Sequence, residues 1–428
     1  MIDRTSVEAA ADLFQAPEGS FDRLVHRRVR RKRNQRIAAG VVGIAAALAV
    51  ALTGASLIRS EPRPADPSPT PPARNGELVS IQGPFWEPGS DPALVAVDPE
   101  TGDTRTLYTC DQECYLSTEA WSSDGSELVF SSGGSLFVLD VASGGTRTLA
   151  PVKAGEAAFS PDGQRIAYQA SKKWPHGFFV TRREGGEPMA LDVLKDRPLE
   201  WFAWLPGGRS IAYFEHGSFD FGGGSLGVVE VVPNPTARTL VSFPEFESSE
   251  SCTTYAPLSC AHSFAVSPVD GRIAYATNDA KTSTDTVRVV NPDDGAVTLV
   301  ARWPAESFAN RPSNPARLSR LAWSPDGSRI AFAAGCQIWA IAPDGTDRSL
   351  IKDLGSCEAT PDRLTWSPDG TELAFVELER KVEGIVQSLT ITALTVDGGS
   401  IRRLATLEMG DAEIGPIAWQ SIPITEQT

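Results

Sequence analysis

Six near-copies of one eleven-residue phrase constrain this chain more than anything else in it. They read AWSSDGSELVF from Ala120, AFSPDGQRIAY from Ala158, AWLPGGRSIAY from Ala203, AVSPVDGRIAY from Ala265, AWSPDGSRIAF from Ala322 and TWSPDGTELAF from Thr365, spaced 38 to 62 residues apart. Strand-like units at such a period signal a ring of β-blades, because no single unit can bury its own apolar faces. Each copy reads as a β-hairpin. Pro325 presets φ at the second turn position, Ser324 can cap the turn with its hydroxyl, and Gly327 can take the left-handed conformation. The repeat turns are Asp124-Gly125, Asp162-Gly163, Asp326-Gly327 and Asp369-Gly370. The flanking LAW and RIAF are apolar at successive positions, as in strands buried on both faces.

Between the copies a second hairpin recurs: LVAVDPETGDTRTL from Leu94, SLFVLDVASGGTRTL from Ser135, VRVVNPDDGAVTLV from Val287 and QIWAIAPDGTDRSL from Gln337. Two hairpins per period make four strands per blade. PIAWQS, Pro416 to Ser421, supplies the first strand of a seventh unit without its turn. RNGELVSIQ, Arg74 to Gln82, reads as the missing half, with Asn75-Gly76 standing in for Asp-Gly. The expectation is an all-β, seven-bladed propeller whose ring is closed by one carboxy-terminal and three amino-terminal strands, removing the free edges of an open stack.

Ahead of the repeats, Ile37 to Ile58 is 22 residues without a charge, roughly 33 Å as a helix and enough to cross a bilayer core. The basic HRRVRRKRNQR, His26 to Arg36, precedes it and places the amino terminus in the cytoplasm. A cleaved signal peptide, with Thr53 and Ala55 as the small-residue pair, fits less well: the charged leader and the apolar run are both too long. Arg59 to Gly76 follows with six prolines, a stalk reaching roughly 50 Å if extended. The organisation read from sequence is a basic cytoplasmic head (1–36), one transmembrane helix (37–58), a stalk (59–76), a propeller (77–422) and a tail (423–428). The head carries net +4 and the remainder net −19, and an acidic main body argues against nucleic-acid binding.

The W-S-P-D-G-x-x-I-A-F pattern resembles the propeller repeats of the TolB carboxy-terminal domain and related WD-repeat-like propellers, over about 345 residues. TolB has a further amino-terminal globular domain and is soluble in the periplasm, whereas here an anchor and a stalk occupy that place. Pro17 to Gly40 resembles the cytoplasmic head and first helix of membrane-anchored propeller proteins from actinobacteria, some of which resemble sigma-factor regulators. That resemblance implies a cytoplasmic regulator as a partner of residues 1–36, reached through a short amphipathic helix at Ser6 to Phe14.

All six cysteines, Cys110, Cys114, Cys252, Cys260, Cys336 and Cys357, lie beyond the apolar run. On the oxidising side an even count reads as three disulfides. Sequence proximity favours 110 with 114, 252 with 260 and 336 with 357, and Cys-x₃-Cys without a second pair is a weak zinc signal.

Signals for chemistry are few. GGSLG, Gly223 to Gly227, matches a nucleophile-elbow pattern but runs into VVEVV, and reads as a flexible loop entering a strand. His26, His176, His216 and His262 are scattered. NPDDG from Asn291 and APDGTD from Ala342 lack the spaced carboxylates of a calcium loop. No catalytic residue, metal or cofactor is expected, and the chain reads as a non-enzyme. Recognition is expected from variable aromatic loops, with Trp174, His176, Phe219, Phe221, Phe246 and Tyr255 as candidates. The reading is a single-pass protein whose extracytoplasmic propeller binds a protein, peptide or glycan ligand of the cell wall. The alternatives are a transmembrane sensor feeding a cytoplasmic regulator, and a hydrolase or lyase with its site in the propeller channel.

Overall fold

The computed structural model describes residues 73–83, 91–110, 116–151, 154–170, 177–195, 197, 199–218, 222–243, 261–279, 284–304, 318–355, 361–380, 386–408 and 417–424. They form twenty-eight strands, β1 to β28 in chain order, in seven four-stranded antiparallel sheets. The head, the apolar run 37–58 and most of the stalk lie outside the described residues, among which no helix is long and apolar enough to cross a membrane.

Six blades each take four successive strands. They begin with β4 (Ser117–Trp121), β8 (Ala154–Phe159), β12 (Leu199–Trp204), β16 (Ala261–Val266), β20 (Ala322–Trp323) and β24 (Asp362–Trp366). The seventh is ordered β28 (Ala418–Pro423), β1 (Ala73–Gln82), β2 (Ala93–Val97), β3 (Thr104–Thr109). One carboxy-terminal strand therefore completes a blade with three amino-terminal ones. Each leading strand lies beside that of the next blade, β24 beside β28 and β28 beside β4, so the seven close around a central channel.

A repeated hydrogen bond sets the angle between blades. The indole Nε1–H of Trp121 donates to the carbonyl of Ala418, Trp204 to Ala158, Trp323 to Ala265 and Trp366 to Ala322, at 3.0 to 3.1 Å. In every case the acceptor is the alanine just before Trp419, Phe159, Val266 or Trp323, the equivalent position of the preceding copy, so neighbouring blades are related by one rotation. Two of the remaining interfaces carry Phe159 and Val266, which have no N–H to offer. At the third, the residue preceding Trp366 is Thr365 rather than alanine, and Trp419 Nε1 is buried with no acceptor among the described residues.

The core lies between blades, not within them. Ile330–Ala334, the second strand of the fifth blade, is buried throughout and shares its side chains between the cluster toward the fourth blade, with Phe332, and that toward the sixth, with Ala331 and Ala333. Burying Ile330 or Phe332 stabilises by roughly 1.5–3 kcal/mol each. Outer strands are polar: Thr104–Thr109 is largely exposed.

Three sequence expectations change. Asn75 and Gly76 form no turn: they lie in β1, at a register shift between Asn75 and Leu78. Pairing begins at Ala73 and Arg74, inside the segment read as stalk. Ring closure removes the ends of the stack but leaves each blade's outermost strand as an edge, defended by charged residues such as Arg105 and Arg147.

Candidate functional site

The antiparallel blades give the ring two unlike faces. One carries the turns between first and second strands and between third and fourth. In the fifth blade, Gly327 N–H donates to Ser324 O at 2.9 Å, with Gly327 at φ +67°. Ser324 Oγ donates to Asp326 Oδ1 at 2.5 Å and accepts from Arg329 N–H at 2.9 Å, and Asp326 Oδ1 also accepts from Ser328 N–H. The serine and glycine roles read from sequence hold. The aspartate is the hub of the turn, since Asp124, Asp162 and Asp369 each accept from the serine hydroxyl two residues before and from the N–H two residues on. Burial alone would push the Asp124 carboxyl up, but Arg183, Ser122 and Ser126 hold it well below the usual range. A groove of about 640 Å³ on this face, between the fifth and sixth blades, is lined by Asp326, Asp369 and Arg329, all committed to turns or to the Arg329–Asp347 pair. This face is structural.

The opposite face carries the connections between second and third strands and between successive blades. Here most of the length variation lies, with 244–260 and 305–321 the longest spans. Trp174, His176, Phe219, Phe221, Phe246 and Tyr255 belong to connections leaving strand ends on this face, and all lie outside the described residues. So do Cys114, Cys252, Cys260 and Cys357. Cys110 and Cys336 are buried and neither is a free thiol.

The glycine-rich motif is corrected. Gly222–Glu230 is a strand, not a loop, paired on one side with Ser210–Ser218 and on the other with Ala237–Phe243. Ser225 is buried, and its Oγ donates to Glu215 Oε1 at 2.6 Å. Glu215 pairs in turn with Arg197 at 2.9 Å. A serine fixed in a ladder is no exposed elbow nucleophile.

The channel holds the residues that sequence reading missed. Five leading strands break register near their channel-lining ends, at Ser117/Ala120, Ala154/Ala157, Leu199/Trp201, Ala261/Ser263 and Asp362/Thr365. Bulges release residues from the ladder and re-aim them. Three of these shifts contain Glu156, Glu200 and Arg363. Arg363 is held at φ +55°, a strained conformation for a non-glycine residue. Arg320 lies two residues before the start of the short β20, and its guanidinium carbon lies 5.8 Å from the Trp201 ring centroid.

Glu156 of the second blade feels Arg320 of the fifth and Arg363 of the sixth, and accepts a hydrogen bond from Phe202 N–H of the third. Blades that share no interface can approach only across the axis, so these groups meet at the channel. Burial pushes the Glu156 carboxyl up to about 7; Arg320 and the Phe202 N–H oppose this, while Glu200 adds to it. The wall is polarised, with acids from the second and third blades facing arginines from the fifth and sixth. Glu156, Trp201, Arg320 and Arg363 each stand three positions before the aromatic residue of their copy. Comparing the copies upstream of the tryptophan would have found them.

No family model matches the chain, and no curated protein matches it. Among solved structures it is similar to an oligogalacturonate lyase in complex with manganese, at 12% identity and TM-score 0.53, over 83% of this chain and 99% of that one. It is similar to a prolyl endopeptidase at 14% identity and TM-score 0.53, over 79% of this chain and 49% of that one. TolB from Acinetobacter baumannii aligns at 17% identity and TM-score 0.41, over 71% of this chain, which spans 66% of that TolB's length. The expectation of a non-enzyme is corrected here. It rested on the scarcity of catalytic signals in the sequence, yet the lyase is aligned over almost its whole length, so a non-catalytic role does not follow from this architecture. At such identities the likeness shows the fold: an all-β, seven-bladed propeller.

Proposed function

We propose that this chain is a single-pass membrane protein whose propeller stands outside the membrane and binds a protein, peptide or cell-wall ligand at the face opposite its repeat turns. The observation that carries the reading is the division between faces: one is spent on short, internally bonded turns, while the long connections leave strand ends on the other. A rigid ring presenting variable connections is how repeat scaffolds achieve recognition. The anchor is Ile37 to Ile58, oriented by the basic His26 to Arg36. Disulfides pairing Cys110 with Cys114, Cys252 with Cys260 and Cys336 with Cys357 belong to this extracytoplasmic setting.

Crosslinked capture from native membranes tests it, comparing the full chain with a form whose residues 2–36 are replaced by an unrelated basic segment. Partners kept by both forms support the binding propeller. Cytoplasmic partners lost with the head would replace this reading with a transmembrane relay. An epitope tag after Thr428 that is inaccessible on intact cells would overturn the topology.

A further inference from the structure

On the outer rim, between the fourth and fifth blades, two indoles form a corner. Trp303, at the end of β19 (Val297–Pro304), and Trp339, in β22 (Gln337–Ile341), stand 5.4 Å apart with their planes 68° from parallel. The guanidinium of Arg348 sits in this corner, its carbon 3.6 Å from the Trp303 ring centroid and 4.5 Å from that of Trp339. Contact with two rings holds the group in place and leaves the N–H donors at its edge for another partner.

Those donors are unspent. Arg165, Arg183, Arg197 and Arg272 also lie against aromatic rings, and each donates to a carbonyl or a carboxylate. Arg348 is exposed and has no hydrogen-bond acceptor or ion-pair partner among the described residues. The acid beside it in sequence, Asp347, is turned away: its backbone is left-handed at φ +47°, and its carboxylate meets Arg329 at 3.2 Å. Asp344 of the same turn accepts from the N–H and the hydroxyl of Thr346. Both local acids are therefore engaged elsewhere, and the fork is left without one.

Leu350 follows two residues on, in β23 (Ser349–Asp353), the outermost strand of its blade. It lies opposite Trp339 in register, on the same side of the sheet as the corner, and is 43% exposed. A braced arginine with aromatic backing, next to an exposed apolar side chain, has the composition of a protein interface.

We propose that this rim is a docking surface for an extended acidic segment of a partner protein, with one carboxylate received by Arg348 and an apolar side chain two residues away covering Leu350. The planar fork selects the carboxylate. Alternate residues of an extended chain, about 7 Å apart, match the spacing of the two positions. The surface is additional to the face opposite the repeat turns and independent of its connections.

The test is fluorescence anisotropy of the full-length protein in detergent with labelled peptides. The probe is Thr-Thr-Glu-Thr-Leu-Thr-Thr, compared with the same peptide carrying Gln for Glu. The Glu peptide should bind about tenfold tighter than the Gln peptide. Arg348→Met, which keeps a long side chain over the indoles, should erase that margin with the melting temperature unchanged. Leu350→Thr, an exposed substitution, should weaken both peptides and keep the margin between them. Replacing 244–260 should leave the margin intact. Equal binding of the two peptides, no binding of either, a margin that survives Arg348→Met, or a margin lost with 244–260 would overturn the proposal.

Discussion

Asn75 and Asp369, 294 positions apart, exchange two hydrogen bonds: Asn75 Nδ2 donates to Asp369 Oδ2 at 3.0 Å, and Asp369 N–H donates to Asn75 Oδ1 at 3.2 Å. They tie the amino-terminal strand to the turn of the sixth blade beside the seam where the ring closes. Asn75→Ala should lower stability by about 1 kcal/mol. Gly76→Val should do more, because a Cβ at Gly76 would lie 2.8 Å from Gln420 Cβ. Thermal melts of both variants check the order.

The indole bonds between blades give a paired test. Trp204→Phe and Trp419→Phe remove similar volumes from buried sites, but only Trp204 donates to a carbonyl. Trp204→Phe should therefore cost about 1 kcal/mol more than Trp419→Phe in denaturant unfolding. Equal losses would mean that the bond does not fix the blade angle.

The turn aspartates make stability acid-sensitive. Burial alone would raise the carboxyls of Asp326 and Asp369, yet their hydrogen bonds to serine, threonine and backbone groups leave both below the ordinary value. A carboxyl depressed in the folded state contributes stability that is present above its unfolded value, near pH 4, and is lost as pH falls through the folded value. Asp326→Asn should destabilise by roughly 1 kcal/mol at pH 7 and by much less near pH 2, read from melting temperatures across that range.

Glu156 has the opposite sign. Its folded value of about 7 lies above the unfolded value, so the folded state holds a proton the unfolded chain has released. Stability falls as pH rises from about 4.5 to 7. Glu156→Gln should raise the melting temperature at pH 8, by about 1 kcal/mol in this partly open channel, and change little at pH 4.

The fold was legible because the hairpin phrase repeats its chemistry: Pro325 and Gly327 read as a turn in isolation, and PIAWQS with RNGELVSIQ betrayed a blade split between the chain ends. What local pattern could not show was the seam itself, where Asn75-Gly76 serves a bulge rather than a turn. The channel was harder still. Glu156 and Arg320 look like unrelated surface charges until the ring brings the second and fifth blades across one axis. Register shifts at Ala154/Ala157 and Asp362/Thr365 then turn such residues out of the strand alternation on which sequence reading relies. Ser225 misled in the other direction, because a Gly-rich string looks like a loop until its partners Glu215 and Ser242 are known.

The central claim is that the face opposite the repeat turns binds the ligand. Its most direct test replaces residues 244–260 in the full-length membrane protein with a Gly-Ser segment of equal length and measures captured partner alongside melting temperature. Retention should drop at least tenfold with the melt unchanged. Undiminished retention, in this variant and in matching replacements of 171–176 and 305–317, would contradict the account.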